Sequence, residues 1–290
     1  MVILGMVEIS IQYTDENQKH MSIKRLAYDA FSKIYCLYIT HQSSYRNGLR
    51  ILLYHSVDSR LPHDSYGISI AKNQFERHIH ELMNMTSFLS VISLQHIDRL
   101  NINTKLHIAI TFDDGYRDNL YIAAPILLKY KIPFTVFVTT SFLRSNSAFY
   151  LTIDDLKELS GLEGVTIGSH VSTHKCLTTC NDKELWEELY GSRCYLEDIT
   201  GKPVKTISYP HGSVDNRVCN MTEKAEYKTG CCSMFGINNQ YNDKFLLKRT
   251  EVIKTDTVDD FTCKIYGGWD WYRWKQEIFE TKALAKTKKG

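Results

Sequence analysis

HIAITFDDGYRDNLYIAAPILLKYKIPFTVFV, residues 107–138, is the stretch whose reading decides the fold. His107–Phe112 is a short β-rich apolar run, and it ends in Asp113-Asp114-Gly115. Asn119–Tyr130 then carries apolar residues at helical spacing. Lys131-Ile132-Pro133-Phe134 stops that helix, and a second β-rich run begins at Phe134–Val138. Strand, helix and strand in this order is the unit from which parallel sheets are built.

The same rhythm extends in both directions. Further runs are Arg50–Tyr54, Val165–Gly168, Lys205–Tyr209, Lys228–Cys232 and Phe245–Val252. Helical patterns lie at Asn73–Met85, Ile153–Leu159, Asp182–Ile199 and Thr257–Ile265. The expectation is a mainly parallel α/β sheet, open or closed, over residues 49–268. Residues 1–48 read as an extension with a helix over Lys24–Thr40 lying on the main body. Residues 269–290 read as a tail: Trp269, Trp271 and Trp274 crowd together, and the end is lysine-rich. Such a tail suits either a terminal helix packed on the body or a lipid or partner contact.

The 290 residues are 43% apolar and 23% charged, which excludes a disordered chain and leaves enough apolar surface for a core. A formal charge of +2 gives no support to a nucleic-acid binder working by bulk charge. No apolar stretch has the length of a spanning helix. The start, MVILGMVEIS, lacks the basic flank and cleavage site of a signal peptide, so the expected compartment is the cytoplasm, with peripheral membrane association as a further option. None of the eight cysteines forms a Cys-x-x-Cys pair, and they are expected to be reduced thiols packed as small apolar groups.

Function is written at the ends of the runs. Arg50–Tyr54 ends at His55, Ile108–Phe112 at Asp113-Asp114-Gly115, Val165–Ser169 at His170 with His174 four residues on, and Thr206–Pro210 at His211-Gly212. In parallel α/β folds the carboxyl ends of the strands share one face, where active sites are built. Adjacent strand residues point to opposite faces, but a turn at Gly115 lets both carboxylates reach one centre. One then can ligate a metal while the other stands by the bound water as a base. The histidine pair together with Asp114 makes a two-imidazole, one-carboxylate set that leaves positions for water and substrate, as a catalytic zinc requires. The same trio suits non-haem iron, but the His-x-Asp pair of those oxygenases is absent.

These motifs, Thr111-Phe112-Asp113-Asp114-Gly115, His170-Val171-Ser172-Thr173-His174 and Tyr209-Pro210-His211-Gly212, resemble those of the polysaccharide deacetylases of the NodB-homology type, carbohydrate esterase family 4. The resemblance covers roughly residues 49–267. It implies a distorted (β/α) barrel of seven strands, here with an N-terminal helical extension. It also implies one divalent ion held by Asp114, His170 and His174, with zinc first and cobalt or nickel as alternatives, and Asp113 as general base. Tyr209, Pro210 and His211 become the substrate or oxyanion segment, with the His211 backbone N–H as the oxyanion donor.

Two departures stand out. The arginine that the family places two residues before Tyr209 is Ile207 here, and Arg249 is the candidate to orient Asp113 in its stead. No histidine follows His211, so the family's late Leu-x-His motif is missing, but Leu53-Tyr54-His55 closes the first run. That order resembles the circularly permuted poly-N-acetylglucosamine deacetylase branch and makes His55 the candidate acid, with His211 the other histidine for that role. The implied reaction removes N-acetyl groups from an amino sugar or polysaccharide in surface-polysaccharide metabolism. A related amidohydrolase acting on another C–N bond and an inactive carbohydrate-binding homologue are the alternatives.

Overall fold

The structure is a computed structural model and describes residues 15–40, 47–62, 64–99, 104–145 and 147–276. A helix, α1 (Asp15–Thr40), precedes the first strand, β1 (Gly48–Tyr54). Then follow β2 (Ser56–Val57), β3 (Ser69–Ile70), α2 (Lys72–Asn84), β4 (Leu89–Val91) and β5 (Leu106–Phe112). After a wide turn at Asn119–Ala123 come α3 (Ala124–Lys129), β6 (Phe134–Val138), α4 (Thr140–Leu143), α5 (Ile153–Gly161) and β7 (Val165–Ser169). The chain continues through α6 (Asp182–Trp186), α7 (Ser192–Thr200), β8 (Thr206–Ser208), α8 (Asn216–Lys224), β9 (Thr229–Cys231), β10 (Arg249–Glu251) and α9 (Val258–Ile265).

Seven parallel strands lie in the order β10-β1-β5-β6-β7-β8-β9, and β4 pairs with the first half of β5. Cys231 of β9 bridges in parallel to Leu247, two residues before β10. The Leu247 N–H donates to the Gly230 carbonyl and the Cys232 N–H to the Leu247 carbonyl, both at 2.9 Å. The sheet therefore forms a nearly closed barrel of the NodB type, with helices outside it.

Strand alternation sorts the side chains into two layers. Tyr54, Ile108, Ile110, Phe112, Phe134, Val136, Val138 and Ile207 face outward and join the helices in the main core. Leu49, Ile51, Ala109, Phe137, Cys231 and Leu247 fill the barrel interior. Gly168 belongs to the inner phase because a Cβ there would meet the Phe137 ring at 2.4 Å. Helix starts are capped locally: Thr152, Asn181 and Thr257 each make reciprocal capping boxes, and Asp215 accepts from the Val218 N–H. Each such cap is worth about 1 kcal/mol.

At the foot of the barrel, Arg50 is fully buried and forks onto Asp270, with contacts of 2.8 and 3.0 Å. It also donates to the Ile265 carbonyl at 2.8 Å and the Thr250 hydroxyl at 3.0 Å. Asp270 lies within the tryptophan cluster, so this ion pair ties the end of the chain to the first strand. Trp269 is buried and Trp271 donates its indole N–H to the Ser32 hydroxyl of α1 at 2.8 Å. The tryptophan segment is thus packed on the body. The lysine-rich end expected after it lies outside the described residues.

Candidate active site

Inner-phase alternation carries the candidate residues to one end of the barrel. Residues 51, 53 and 55 share a phase on the first strand, as do 109, 111 and 113 on its neighbour, and Tyr54 pairs with Phe112. His55 and Asp113 therefore lie side by side just beyond the paired ends, with the Asp113 N–H donating to the Tyr54 carbonyl at 2.9 Å. The same argument puts His170 after Gly168, Ser208 after Thr206, and Arg249 after Leu247 on the inner side.

Asp114 falls on the wrong phase for a straight strand. It adopts φ 74°, followed by Gly115 at φ 76°, and this left-handed turn brings its carboxylate back to the mouth. Val171, His174 and His211 also have positive φ, at 57°, 60° and 58°. A β-branched residue in that region is rare, and each such residue stores about 1–3 kcal/mol that the surroundings must offset. Here Glu188, buried on the turn between α6 and α7, accepts from the Ser172 and Thr173 N–H groups at 2.9 and 2.8 Å and from the Thr173 hydroxyl. His170–His174 is accordingly a loop held from behind by a carboxylate, without helical structure.

Among the described residues, Asp114, His170 and His174 offer three ligand atoms that all lie within 4.8 Å of one another. His174 Nε2 is 3.3 Å and His170 Nε2 3.5 Å from Asp114 Oδ1. His170 Nδ1 lies 2.8 Å from the Ser208 carbonyl, which can only accept, so Nδ1 carries the proton and Nε2 presents a lone pair to the centre. Burial pushes the His170 pKa down to about 4, which keeps that ring neutral. Burial also lowers His174, but the adjacent Asp114 carboxylate outweighs it and its pKa is raised. Asp114 Oδ1 is buried without a hydrogen-bond partner. An imidazole lone pair directed at an orphaned carboxylate oxygen is unfavourable unless a cation lies between them. The donor set therefore fits a divalent metal.

Asp113 is 3% exposed, and its two oxygens are taken by the Arg249 guanidinium in a fork of two 2.7 Å contacts. The Ser208 hydroxyl donates to Asp113 Oδ2 at 2.9 Å and accepts from Arg249 Nη2 at 2.7 Å. The Arg249 Nε donates to the Cys232 carbonyl at 3.0 Å. Burial alone would raise the Asp113 pKa, but Arg249 outweighs it and holds the carboxyl well below its usual range. Asp113 Oδ2 is 3.8 Å from His170 Nε2, at the edge of the centre. His55 lies beside both carboxylates, and its Nδ1 is buried with no partner. The His211 ring packs edge-on against His174, with centroids 4.7 Å apart.

Residues 101–230 match the family model for polysaccharide deacetylase. Over this stretch the sequence is of the polysaccharide deacetylase family. It is 28% identical over 207 residues to "Putative polysaccharide deacetylase YxkH" of Bacillus subtilis, covering 70% of this chain and 71% of that protein. It is also 28% identical over 174 residues to a poly-beta-1,6-N-acetyl-D-glucosamine N-deacetylase of Staphylococcus aureus, covering 56% of this chain and 60% of that one. BC0361, a polysaccharide deacetylase from Bacillus cereus, superposes with a TM-score of 0.66 at 26% identity, covering 76% of this chain and 69% of that one.

Within this site, one expectation needs correction. Tyr209, expected among the substrate contacts, is on the outer phase of its strand. Its ring is fully buried in the main core, and its hydroxyl lies where a Cβ on Gly230 would be, at 2.2 Å. Pro210 is buried as well, so of this motif only His211 offers an exposed side chain. Sequence reasoning missed Ser208 and Glu188, whose roles come from tertiary contact. It also missed a row of rings beside His174: Tyr116 stacks on Tyr150 at 5.1 Å, Tyr150 on Phe142 at 4.3 Å, and Phe142 on His174 at 5.8 Å.

Proposed function

We propose that residues 49–268 form a metal-dependent N-deacetylase that releases acetate from an N-acetylated amino sugar or polysaccharide and leaves a free amine. The single observation that carries this reading is the convergence of ligand atoms from Asp114, His170 and His174, with the His170 Nε2 lone pair turned to the centre, beside a carboxylate locked by Arg249. Asp114, His170 and His174 would hold a divalent ion, zinc first, which would supply Lewis-acid polarisation of the acetamido carbonyl and an acidified water.

In this reading Asp113 is the base. The guanidinium fixes its plane and keeps it ionised, so in this reading the carboxylate is the group that takes the proton of the attacking water. The Ser208 hydroxyl and Arg249 hold Asp113 and thereby also carry its negative charge when it is not protonated. His211, in left-handed backbone at the strand end, offers its backbone N–H as the oxyanion donor in this reading. His55, from the neighbouring strand, gives a proton to the departing amine. Beside His174 the part-exposed edges of Tyr150 and Phe142 supply apolar surface against which a sugar can lie.

The relatives support a glycan substrate through their names, and the site supports the bond type. The test is Asp113→Asn. It is expected to keep the ion, since Asp113 is no ligand, and to lose acetate release from N-acetylglucosamine oligomers by a factor of about 100–10,000. Retained turnover would remove Asp113 as the base, and acetate-free turnover of another amide by the wild-type protein would favour the amidohydrolase alternative.

A further inference from the structure

Helix α1 is inside-out. Its inward face carries Arg25, paired with Asp256 at 2.8 Å, Ser32, bound by Trp271, and Cys36. Its outward face carries Leu26, Phe31, Ile34, Leu37 and Tyr38, each between 47% and 69% exposed, with Ala27 and Ala30 also exposed between them. At about 100° per residue these seven positions fill a continuous arc of about 140° that contains no polar side chain among the described residues 25–39. Trp274, 48% exposed, extends the patch through Tyr35, its ring 6.0 Å from the tyrosine. The helix lies along the flank of the barrel. Arg25 meets Asp256 beyond the carboxyl end of β10, and Ile39 meets Gly267 beside Arg50 at the start of β1.

We propose that this face of α1 docks on an anionic lipid surface. Tyrosine and tryptophan at the border of an aliphatic stripe suit the boundary between headgroups and acyl chains. Lys33 borders the arc on the helix itself and is exposed. The chain leaves the described residues at Gln276, two residues past Trp274; the residues that follow hold Glu277 and Glu280 and then four lysines within KALAKTKKG, a net basic segment. A net basic segment joined in sequence to an apolar face attracts phosphatidylglycerol-type headgroups. A second copy seated symmetrically on the face would instead bring two such segments together and be repelled.

The test uses the full chain, sedimented with phosphatidylcholine vesicles with and without phosphatidylglycerol. The expected result is binding that depends on phosphatidylglycerol and weakens by about 100-fold in Ile34→Ser/Leu37→Ser. Acetate release from a soluble substrate should be unchanged in that variant, because neither residue approaches the site. Replacing Lys282, Lys286, Lys288 and Lys289 by glutamine should remove the phosphatidylglycerol dependence. Wild-type protein that stays in the supernatant, or a variant that pellets as tightly as wild type, overturns the proposal. So does a wild-type dimer in solution that the two serines split while no vesicle binds.

Discussion

Replacing Arg249 by methionine keeps most of the side-chain volume and removes the cation that faces Asp113 inside the barrel. Arg249 is 0% exposed and Asp113 3%, so neither group can turn to water without distorting the strands. Breaking a buried pair by deleting one partner costs about 3–5 kcal/mol, chiefly because a buried charge is left uncompensated. The two 2.7 Å contacts and the shared Ser208 hydroxyl argue for the upper part of that range. The pH dependence follows from the direction of the shift. In the wild-type protein the Asp113 carboxyl is held below its unfolded value, so its stabilising contribution is complete above the ordinary carboxylate range and is lost only as pH falls below it. In the variant, burial acts without the opposing guanidinium and raises the carboxyl above its unfolded value. The penalty is then present at neutral pH and fades as pH falls through that raised value. Urea unfolding with a chelator present should show the full deficit at neutral pH and a clearly smaller one near about pH 5. Arg249→Lys keeps the charge but not the fork, and should lose less stability while still misplacing Asp113. A deficit below about 1 kcal/mol, or one that does not change with pH, would refute this account of Asp113.

Two further outcomes follow from the same site. Ion affinity should be level above the raised pKa of His174 and fall about tenfold per pH unit below it, because the ligand imidazole must give up its proton; calorimetric titration with zinc across that range checks this. His55→Ala should leave ion content unchanged and lower turnover about 100-fold or more, read as acetate released per bound ion, and an unchanged rate would take His55 out of the reaction.

The strand ends were legible because apolar β-branched runs stopped abruptly at His and Asp, and period-2 alternation then put those residues inside the barrel. The same alternation explains the misplacement of Tyr209: Ser208 takes the inner phase, so Tyr209 must face the helices. β2, β3 and β4 are two or three residues long and leave no periodic signal. α8, NRVCNMTEK, buries Val218, Cys219 and Thr222, too few strong apolar residues to mark it, and its clearest sign is the capping Asp215. The run Phe245–Val252 reads as a continuous strand, yet only Arg249–Glu251 pairs along its length, with Leu247 bridging separately to close the barrel. Arg249 could be placed at the end of a run, but its fork onto Asp113 depends on β10 returning beside β1. Glu188 gives no local sign at all, since the loop it holds is distant in sequence.

Metal stoichiometry tests the central claim most directly. Purified protein reloaded with zinc and cleared of excess should carry one ion per chain by elemental analysis, and Asp114→Asn should carry almost none while remaining folded, because the carboxylate facing both imidazoles is gone. An Asp114→Asn protein that binds zinc as tightly as the wild type would contradict it.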